Sequence, residues 1–192
     1  MFTKKMAREK LTEIIGPTEG ITFLLENNIL TAKGQKGEVK KDFKNPKIII
    51  KCESNKVTLE SFNTTKRSKT LIKTYKAHIL NMIKGCLEGF VYKLKICSGH
   101  FPMNVSVSNN VLEIKNFLGE KIPRKVKLDP QVNIKIDGTS IVVDAPDKDK
   151  AGQVAANIEQ TTRRPGFDKR IFQDGIYLIE KAGKEIWKWR NY

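Results

Sequence analysis

The chain has 192 residues, of which 36 are Lys or Arg and 21 are Asp or Glu, so its formal net charge at pH 7 is +15. Its 39% of hydrophobic residues can build the core of one domain or two small ones, which excludes a disordered chain. A positive surplus of this size disfavours the compact state by self-repulsion unless a polyanion neutralises it. Nucleic acid is the first partner that the charge indicates and anionic lipid the second. A basic protein that is merely soluble is the plain alternative.

The N-terminal segment lacks the continuous apolar core of a signal peptide, and no stretch reaches the roughly 20 apolar residues of a membrane span. The spacing of Met6, Leu11, Ile14 and Ile15 predicts one face of a short amphipathic helix within an N-terminal extension over residues 1–16. A helix that lies on a membrane surface is the alternative for this segment.

An internal repeat divides the chain. The segment from Asn27 to Val39 aligns without a gap with the segment from Asn109 to Lys121, and six of the thirteen positions are identical. The identical pairs are Asn27/Asn109, Asn28/Asn110, Leu30/Leu112, Lys33/Lys115, Gly37/Gly119 and Glu38/Glu120. Such self-similarity indicates that one structural unit occurs twice.

Each copy of the repeat is followed by short strand-like segments and then by a helix. The predicted strands are 47–51 and 56–62 in the first half, and 126–128, 132–136 and 140–145 in the second. Apolar residues at three- and four-residue steps predict a helix over 65–88, and a second helix over 147–160 has Asp147 as its N-cap.

The predicted fold class is therefore α+β, with two tandem duplicated domains that each pack a small antiparallel β-sheet against one α-helix. The predicted boundaries are 1–16 for the extension, 17–90 for the first repeat, 91–181 for the second and 182–192 for a C-terminal tail. In the tail, Trp187 and Trp189 alternate, so one face of an extended segment can dock on RNA or on a neighbouring protein. A disordered terminus is the alternative there.

The first repeat carries the sequence KGQKGE at residues 33–38. Gly34 and Gly37 are expected to take positive φ angles in a tight turn between two strands. The same GxxG pattern forms the nucleic-acid clamp of a KH domain, but that clamp needs a helix on each side of the loop. Because the flanking sequences here are typical of strands, we favour an ordinary hairpin over the KH interpretation.

The equivalent loop of the second repeat is KNFLGEKIPRK, residues 115–125, and Gly119 is expected to allow its turn. Its lysines and Arg124 are expected to project at the tip. Apolar Phe117 and Leu118 stand on a loop that already carries cations, which favours contact with RNA over a solvated hairpin. The candidate RNA contacts of this loop are Lys115, Phe117, Lys121, Arg124 and Lys125.

Residues 161–177, TTRRPGFDKRIFQDGIY, form a cationic segment ahead of an apolar run. Its cations can bind phosphates, and an arginine can also reach a base edge in two hydrogen bonds. Phe167 or Phe172 can stack on an unpaired base, whereas Asp174–Gly175 is a turn that begins a strand. The alternatives are a solvated charged face and, for Arg170, a buried pair with Asp168 or Asp174.

The sequence contains no P-loop, no GxGxxG or GxSxG motif and no HExxH. His78 and His100 are single histidines without a metal-ligand spacing, and the three cysteines include no CxxC pair. An odd number of cysteines favours a reduced, intracellular protein. We therefore expect no enzymatic activity, no cofactor and no metal, with a hydrolase hidden in a basic α+β fold as the enzymatic alternative.

Several segments taken together closely resemble one family, the sixth large-subunit ribosomal protein, whose eukaryotic members carry the number nine. The matching segments are RIFQDGIYLIEK, GHFPMNV, NFLGEK and the duplicated NNIL and NNVL blocks, in co-linear order from about Glu19 to Lys181. The pattern RxFxDGxY is similar to the signature of the archaeal and eukaryotic branch, and RIFQDGIY to its archaeal form. The RNA-contact candidates from this region are Arg163, Arg164, Phe167, Lys169, Arg170, Phe172, Asp174, Gly175 and Tyr177.

The resemblance implies a structural constituent of the large ribosomal subunit that supports translation in the cytoplasm. It implies binding to large-subunit ribosomal RNA near the sarcin–ricin loop and the stalk base, mainly through the second domain. Neighbouring ribosomal proteins at the stalk base are the other implied partners, and the protein is implied to be monomeric within the ribosome, without membrane or small-molecule substrate. The family usually has an aliphatic residue at the position of Arg164 and a cation at that of Phe167. The alternative function is a free-standing RNA-binding regulator, an RNA chaperone or a DNA-binding module.

Overall fold

The computed structural model describes most of the chain, and the chain forms two compact units, Met1–Glu88 and Gly89–Tyr192. The described residues are 10–16, 19–53, 56–62, 64–168 and 170–186. None of the helices in this part of the chain is long and apolar enough to cross a membrane.

The described residues of the first unit form six strands and one helix. They are β1 (Leu11–Ile15), β2 (Thr22–Glu26), β3 (Ile29–Gly34), β4 (Gly37–Asp42), β5 (Ile48–Glu53), β6 (Lys56–Ser61) and α1 (Lys66–Leu87). Strands β2, β3 and β4 form one antiparallel sheet, and a second antiparallel sheet has the order β1-β6-β5. Helix α1 packs against strands of both sheets, so the core of the unit lies between the helix and the sheets.

Helix α1 begins and ends where the sequence supplies caps. The Thr65 hydroxyl accepts a hydrogen bond from the Ser68 amide at 3.2 Å, as an N-cap does. The helix ends at Glu88, and Gly89 follows with φ of 79°, in the left-handed region that favours glycine. The apolar residues that alternate in steps of three and four are buried, with Ile72 and Ile79 fully inaccessible. The predicted helix over 65–88 is confirmed.

The N-terminal segment contains a strand where the spacing of its apolar residues predicts a helix. Leu11–Ile15 pair with β6 in antiparallel register, with Ile15 opposite Val57. Ile15 is buried in the core, whereas Ile14 is 52% exposed, as expected of alternating strand positions. The helix prediction is therefore wrong here, because so short an apolar pattern fits both periods and pairing with β6 decides between them. Met6 lies outside the described residues.

In the second unit, the part of the chain that the structure describes forms eight strands, one helix and a short 3-10 turn at Phe117–Gly119. The main elements are β7 (Phe90–Cys97), β8 (Asn104–Ser108), β9 (Val111–Lys115), β10 (Arg124–Lys127), β11 (Asn133–Asp137), β12 (Ser140–Ala145), α2 (Lys148–Thr161), β13 (Gly175–Lys181) and β14 (Lys184–Glu185). One antiparallel sheet has the order β10-β9-β8 and the other the order β11-β12-β7-β13-β14. The α+β fold class is confirmed, with two sheets in each unit.

Helix α2 starts at the predicted cap, because the Asp147 carboxylate accepts a hydrogen bond from the Asp149 amide at 2.9 Å. The helix packs against β7, β12, β13 and β10. Strand β7 is central in the five-stranded sheet, between β12 and β13, and its residues alternate between buried and accessible positions. In its pairing with β13, Cys97 lies opposite Gly175. This register brings the residues that follow β7 beside those that precede β13, which is where the candidate site lies.

The repeat is visible in the backbone as well as in the sequence. The asparagine pairs between β2 and β3 and between β8 and β9 all have positive φ, typical of two-residue type I′ hairpins. They are Asn27 (48°), Asn28 (65°), Asn109 (48°) and Asn110 (59°). In the first unit, the Phe43 amide donates to the Asn28 carbonyl oxygen at 3.0 Å. In the second, the Leu128 amide donates to the Asn110 carbonyl oxygen at 2.8 Å, so one turn and its anchor occur twice.

Candidate RNA interface

The cationic segment is a loop whose two ends are held together by one hydroxyl group. Thr162 stands at the end of α2 and is 5% exposed. Its Oγ1 donates to the Glu159 carbonyl oxygen at 3.0 Å and accepts from the Ile176 amide at 3.0 Å. The loop between α2 and β13 therefore starts and finishes at fixed points, and its cations are presented from a rigid base.

Asp174 anchors the same loop to the end of β7. Its buried carboxylate accepts hydrogen bonds from the Gly99 amide at 2.6 Å and the His100 amide at 3.0 Å. The other carboxylate oxygen lies 2.5 Å from Nδ1 of the His100 ring. Burial raises the pKa of Asp174, but the hydrogen bonds from His100 and Gly99 outweigh it and the pKa is held below the usual aspartate value. The carboxylate is thus a structural clamp.

Three aromatic rings and one guanidinium contact one another in a row that begins at His100. The His100 and Phe172 rings are stacked with centroids 5.2 Å apart, and Phe167 meets Phe172 edge to face at 5.0 Å. The Arg164 guanidinium lies 4.3 Å from the centroid of the Phe167 ring. Phe172 is half-buried, whereas Phe167 is 39% exposed. Of these two phenylalanines, Phe167 is the one that offers a free ring surface.

The cations of the segment differ in whether they have an acidic partner. Arg163 is exposed and makes no ion pair within the described part of the chain. Arg170 pairs with Asp168 at 3.0 Å, and its side chain is 91% exposed. The Arg170 side chain is the first cause of a lowered pKa at Asp168. The alternative of a buried pair for Arg170 is therefore wrong, since its partner is at the surface and Asp174 is bound to His100. Lys169 lies outside the described residues.

The loop at 115–125 is folded back on itself by Arg124 and does not project it. The guanidinium lies 4.3 Å from the centroid of the Phe117 ring and makes two hydrogen bonds to the Glu120 carboxylate, at 2.7 and 2.8 Å. It also donates to the carbonyl oxygen of Thr161 at the end of α2. Arg164 approaches Glu120 from the cationic segment at 3.8 Å. Glu120 consequently connects this loop to the cationic segment, and the Arg124 hydrogen bond lowers its pKa.

Two candidates from this loop need correction. Phe117 is 1% exposed and belongs to the hydrophobic core, so its ring is not at the surface where a base can stack. Arg124 uses its guanidinium within the loop, so it supports the loop and does not stand at its tip. Lys121 is exposed and makes no ion pair in the described residues. Lys115 and Lys125 are exposed too, at 3.9 and 2.9 Å from the Glu113 carboxylate.

Two glycines, Gly34 and Gly175, are needed for close packing and not for a positive φ. Gly175 has no positive φ; a Cβ atom there would lie 3.2 Å from the Tyr177 ring, so the position requires a close approach. Gly34 likewise has no positive φ, and a Cβ there would lie 2.7 Å from the Cys86 carbonyl oxygen. Gly37 and Gly119 do have positive φ, 143° and 77°. Burial raises the pKa of the Tyr177 hydroxyl.

The hairpin at 33–38 joins two strands, β3 and β4, and no helix borders it on either side. Its tip packs on the end of α1, where the Lys36 amide donates to the Cys86 carbonyl oxygen at 3.0 Å. The KH clamp is therefore excluded at this position, because that clamp depends on flanking helices.

Six of the candidate residues, all from the cationic segment, line one cleft of about 400 Å³. Its walls include Leu118, Arg163, Arg164, Phe167, Phe172 and Tyr177. Sequence reasoning did not find His100, Thr162 or Glu120 as parts of the site. His100 stands in the GHFPMN segment, but its pairing with Asp174 spans 74 positions and no local pattern signals it. Within the described residues no cluster of three or more His, Cys, Asp or Glu side chains can hold a metal.

Comparison with known proteins identifies the family. The family model described as Ribosomal protein L6 matches residues 19–89 and 101–175. A protein from Nanoarchaeum equitans (strain Kin4-M), named Large ribosomal subunit protein uL6, is 47% identical over 88% of this chain and 92% of its own length. The protein of the same name from Methanococcus vannielii is 49% identical over 77% of this chain and 81% of its own. The protein of the same name from Methanosarcina mazei is 41% identical over 91% of this chain and 99% of its own length.

These relatives confirm the resemblance found in the RIFQDGIY, GHFPMNV and NFLGEK segments. Each carries the name of a ribosomal protein, which agrees with the expectation that the chain is not an enzyme. The family match covers both repeats, and most of the cationic segment falls inside its second part. By family match and by identity over most of its length, the chain belongs to the ribosomal protein L6 family.

Proposed function

We propose that the chain is a structural constituent of the large ribosomal subunit and that it binds large-subunit ribosomal RNA through its second unit. Its relatives at 41–49% identity are named as large-subunit proteins. The net charge of +15 favours a polyanionic partner of the kind that ribosomal RNA provides. The observation that carries the proposal is the fixed loop that presents exposed cations beside the exposed Phe167 ring.

The exposed cations supply the contacts to phosphates. Arg163 and Lys121 have no acidic partner in the described residues, so a phosphate can bind them without displacing a carboxylate. Arg170 has Asp168, but an exposed pair contributes only about 0–1 kcal/mol and exchanges readily for a phosphate. Lys115 and Lys125 are bound to Glu113 in the same exposed manner. Phosphate contacts of this kind fix the position of the protein on the RNA without reading its sequence.

The aromatic stack supplies a contact of a different kind. The free surface of Phe167 can receive an unpaired base, a mode typical of RNA recognition. Phe172 meets that ring edge to face and is itself stacked on His100, while the Arg164 guanidinium lies over the Phe167 ring. Arg164 thus positions Phe167 and also links it to Glu120. The family's usual aliphatic residue and cation at the positions of Arg164 and Phe167 make this stack a feature of the present sequence.

The remaining candidates shape the interface from below. Asp174 holds the loop to the end of β7, Gly175 allows the close approach of Tyr177, and Arg124 holds the 115–125 loop on Phe117. These groups are buried or fully engaged by neighbours. Their substitution is expected to affect RNA binding through misplacement of the cations.

We extend the proposal to the location that the family resemblance implies, near the sarcin–ricin loop and the stalk base. Ribosomal proteins at the stalk base are the neighbouring partners, and the chain acts as a monomer within the particle in the cytoplasm. No membrane and no small-molecule substrate take part.

Sedimentation of cell extract tests the function, and chemical footprinting tests the location. The chain should cosediment with large subunits in high salt, and its omission from reconstituted subunits should expose nucleotides around the sarcin–ricin loop. A chain that stays at the top of the gradient would favour the free-standing regulator or chaperone. Cosedimentation with protection elsewhere on the RNA would keep the ribosomal assignment and overturn the location.

A further inference from the structure

Helix α1 of the first unit differs in its charge distribution from its counterpart in the second. It contains six Lys or Arg residues and no Asp or Glu over Lys66–Leu87. Lys66, Arg67 and Lys69 stand in or next to its first turn, where the helix dipole favours acidic groups. Helix α2 follows the rule, with Asp147 as the cap and Asp149 in the first turn.

The cations at the start of α1 are exposed and unneutralised. Lys66, Lys69 and Lys73 follow one another at helical steps on the face away from the core, and Arg67 lies beside them. None of the four makes an ion pair with any other described residue. The helix cations nearer the C-terminus behave differently, since Lys76 pairs with Glu13 at 2.8 Å and Lys84 with Glu88 at 3.7 Å.

An exposed aromatic ring precedes this surface. Phe62, in the turn that leads into α1, is 51% exposed. Like the cationic segment, this stretch of the sequence combines exposed cations with an exposed phenylalanine. The threonine hydroxyls on the same face bond back to the helix, from Thr70 to the Lys66 carbonyl oxygen and from Thr74 to the Thr70 carbonyl oxygen, and they neutralise nothing.

We propose that the outer face of α1, formed by Lys66, Arg67, Lys69 and Lys73 and called here the α1 patch, binds the phosphate backbone of RNA. This is a second RNA contact, on the unit that the proposed function leaves without one. A local charge arrangement that opposes helix stability is expected at a functional surface. Four cations without acidic neighbours match a run of phosphates, which carry one charge per nucleotide. The contact is sequence-independent, because lysines act as point charges on the backbone.

A fourfold substitution in the full-length chain tests the α1 patch. Lys66, Arg67, Lys69 and Lys73 are changed together to Gln, and binding to a transcript of large-subunit ribosomal RNA is measured over a series of salt concentrations. Removing one phosphate contact should flatten the plot of log affinity against log salt by about 0.7–0.9, so the four together should flatten it by about 3. The melting temperature should rise, because the glutamines no longer oppose the helix dipole.

The matched control removes the same charge from the same unit at positions on or next to strands β3, β4 and β5, outside the α1 patch. Lys33, Lys40, Lys44 and Lys51 are ion-paired with Glu38, Asp42 or Glu60, and their change to Gln should flatten the slope by less than half as much. Equal flattening by the two sets would overturn the α1 patch in favour of a general charge effect. A wild-type slope for the α1 set would overturn it as well.

The two proposals fail in different ways. If the wild-type chain binds the transcript and only substitutions in the cationic segment change the slope, the α1 patch is wrong and the proposed function stands. If the wild-type chain shows no salt-dependent binding, both are wrong.

Discussion

The hairpin at 33–38 and the loop at 115–125 occupy the same place in the repeat, but they do different work. The first is short and is closed against its own helix, with Gly34 in contact with Cys86. The second is longer and is anchored by Phe117 in the core of the second unit, with Arg124 lying on the Phe117 ring and binding Glu120. The same strands and turns are thus kept in both units, while one connection is longer in the second unit and carries exposed lysines.

The charges of the two units differ in kind as well as in place. Lysines and arginines are shared equally between the units, but most of the arginines stand in the second. Two of them, Arg124 and Arg164, lie on aromatic rings. In the first unit, unpaired cations line the outer face of α1. Total charge therefore does not distinguish the units, whereas the surroundings of each cation do.

Asp174→Ala is expected to have the largest effect on stability. The effect should be confined to the second unit, which contains this clamp. The change leaves the Gly99 and His100 amides without their acceptor. We expect the free energy of unfolding to fall by about 3 kcal/mol, since buried donors lose bonds to a charged group. Hydrogen exchange should show reduced protection in the second unit and unchanged protection in the first. The control is Asp137→Ala, at an exposed position of the same unit; a loss below about 1 kcal/mol at Asp174 would contradict the clamp.

Gly175→Val should have the next largest effect. A side chain at this position meets the Tyr177 ring, and forcing extra atoms into a packed site costs about 1–3 kcal/mol. RNA affinity should fall because the cationic segment is displaced. Thermal melts of this variant measure the loss of stability, and binding titrations measure the loss of RNA affinity.

A double variant and a first-unit counterpart separate the causes for Gly175. Adding Tyr177→Leu to Gly175→Val should restore part of the stability if the clash is with the ring. Gly34→Ala should destabilise the first unit through its contact with Cys86 and leave the affinity for RNA nearly unchanged. Similar losses of affinity in both units would show that the two hairpins are not different in function.

Arg163→Ala and Arg170→Ala should change binding with little change in stability. Each variant removes one phosphate contact and should flatten the log–log salt plot by about 0.7–0.9. The melting temperature should stay close to that of wild type, because both side chains are exposed. Lys135→Ala, an exposed cation on β11, is the control for loss of charge alone. An Arg170→Ala protein that melts much earlier and keeps its salt slope would assign a structural role to that arginine.

The smallest effect concerns pH. Because the folded-state pKa of Asp174 lies below the ordinary aspartate value, the unfolded chain binds more protons in acid. The stabilisation is complete above the unfolded pKa of about 3.9 and is lost as pH falls through the lower folded pKa. Melting temperatures measured from about pH 6 downwards should therefore fall more steeply in acid for wild type than for Asp174→Asn. Parallel curves would show that other carboxylates dominate.

Much of the fold could be predicted because its signals are local. Thr65 and Asp147 cap helices at the expected positions, and the strands follow their alternating patterns. The prediction failed at Leu11–Ile15, where a short apolar pattern suits either period and pairing with β6 settles the matter. Strand β7 shows the same alternation and could have been found from it.

The candidate site could be predicted only in outline. The cationic segment is conspicuous in the sequence, and its arginines and Phe167 are where a loop was expected. The sequence does not show which of the candidate side chains are engaged by other residues, because several of their partners lie far along the chain. Arg124 is engaged by Thr161, and Asp174 by His100, across 37 and 74 positions. Composition cannot reveal such pairings.

By itself the sequence determined the duplication, the α+β class, the helix caps and the demand for a polyanion, because each depends on neighbouring residues or on total charge. The tertiary structure alone decided that Phe117 belongs to the core, that Gly34 and Gly175 are sites of close packing, and which cations stay unpaired. Apart from the contact of Gly175 with Tyr177, those properties arise from contacts between elements distant in the chain. A side chain is free or engaged only with respect to the surfaces that the fold brings against it.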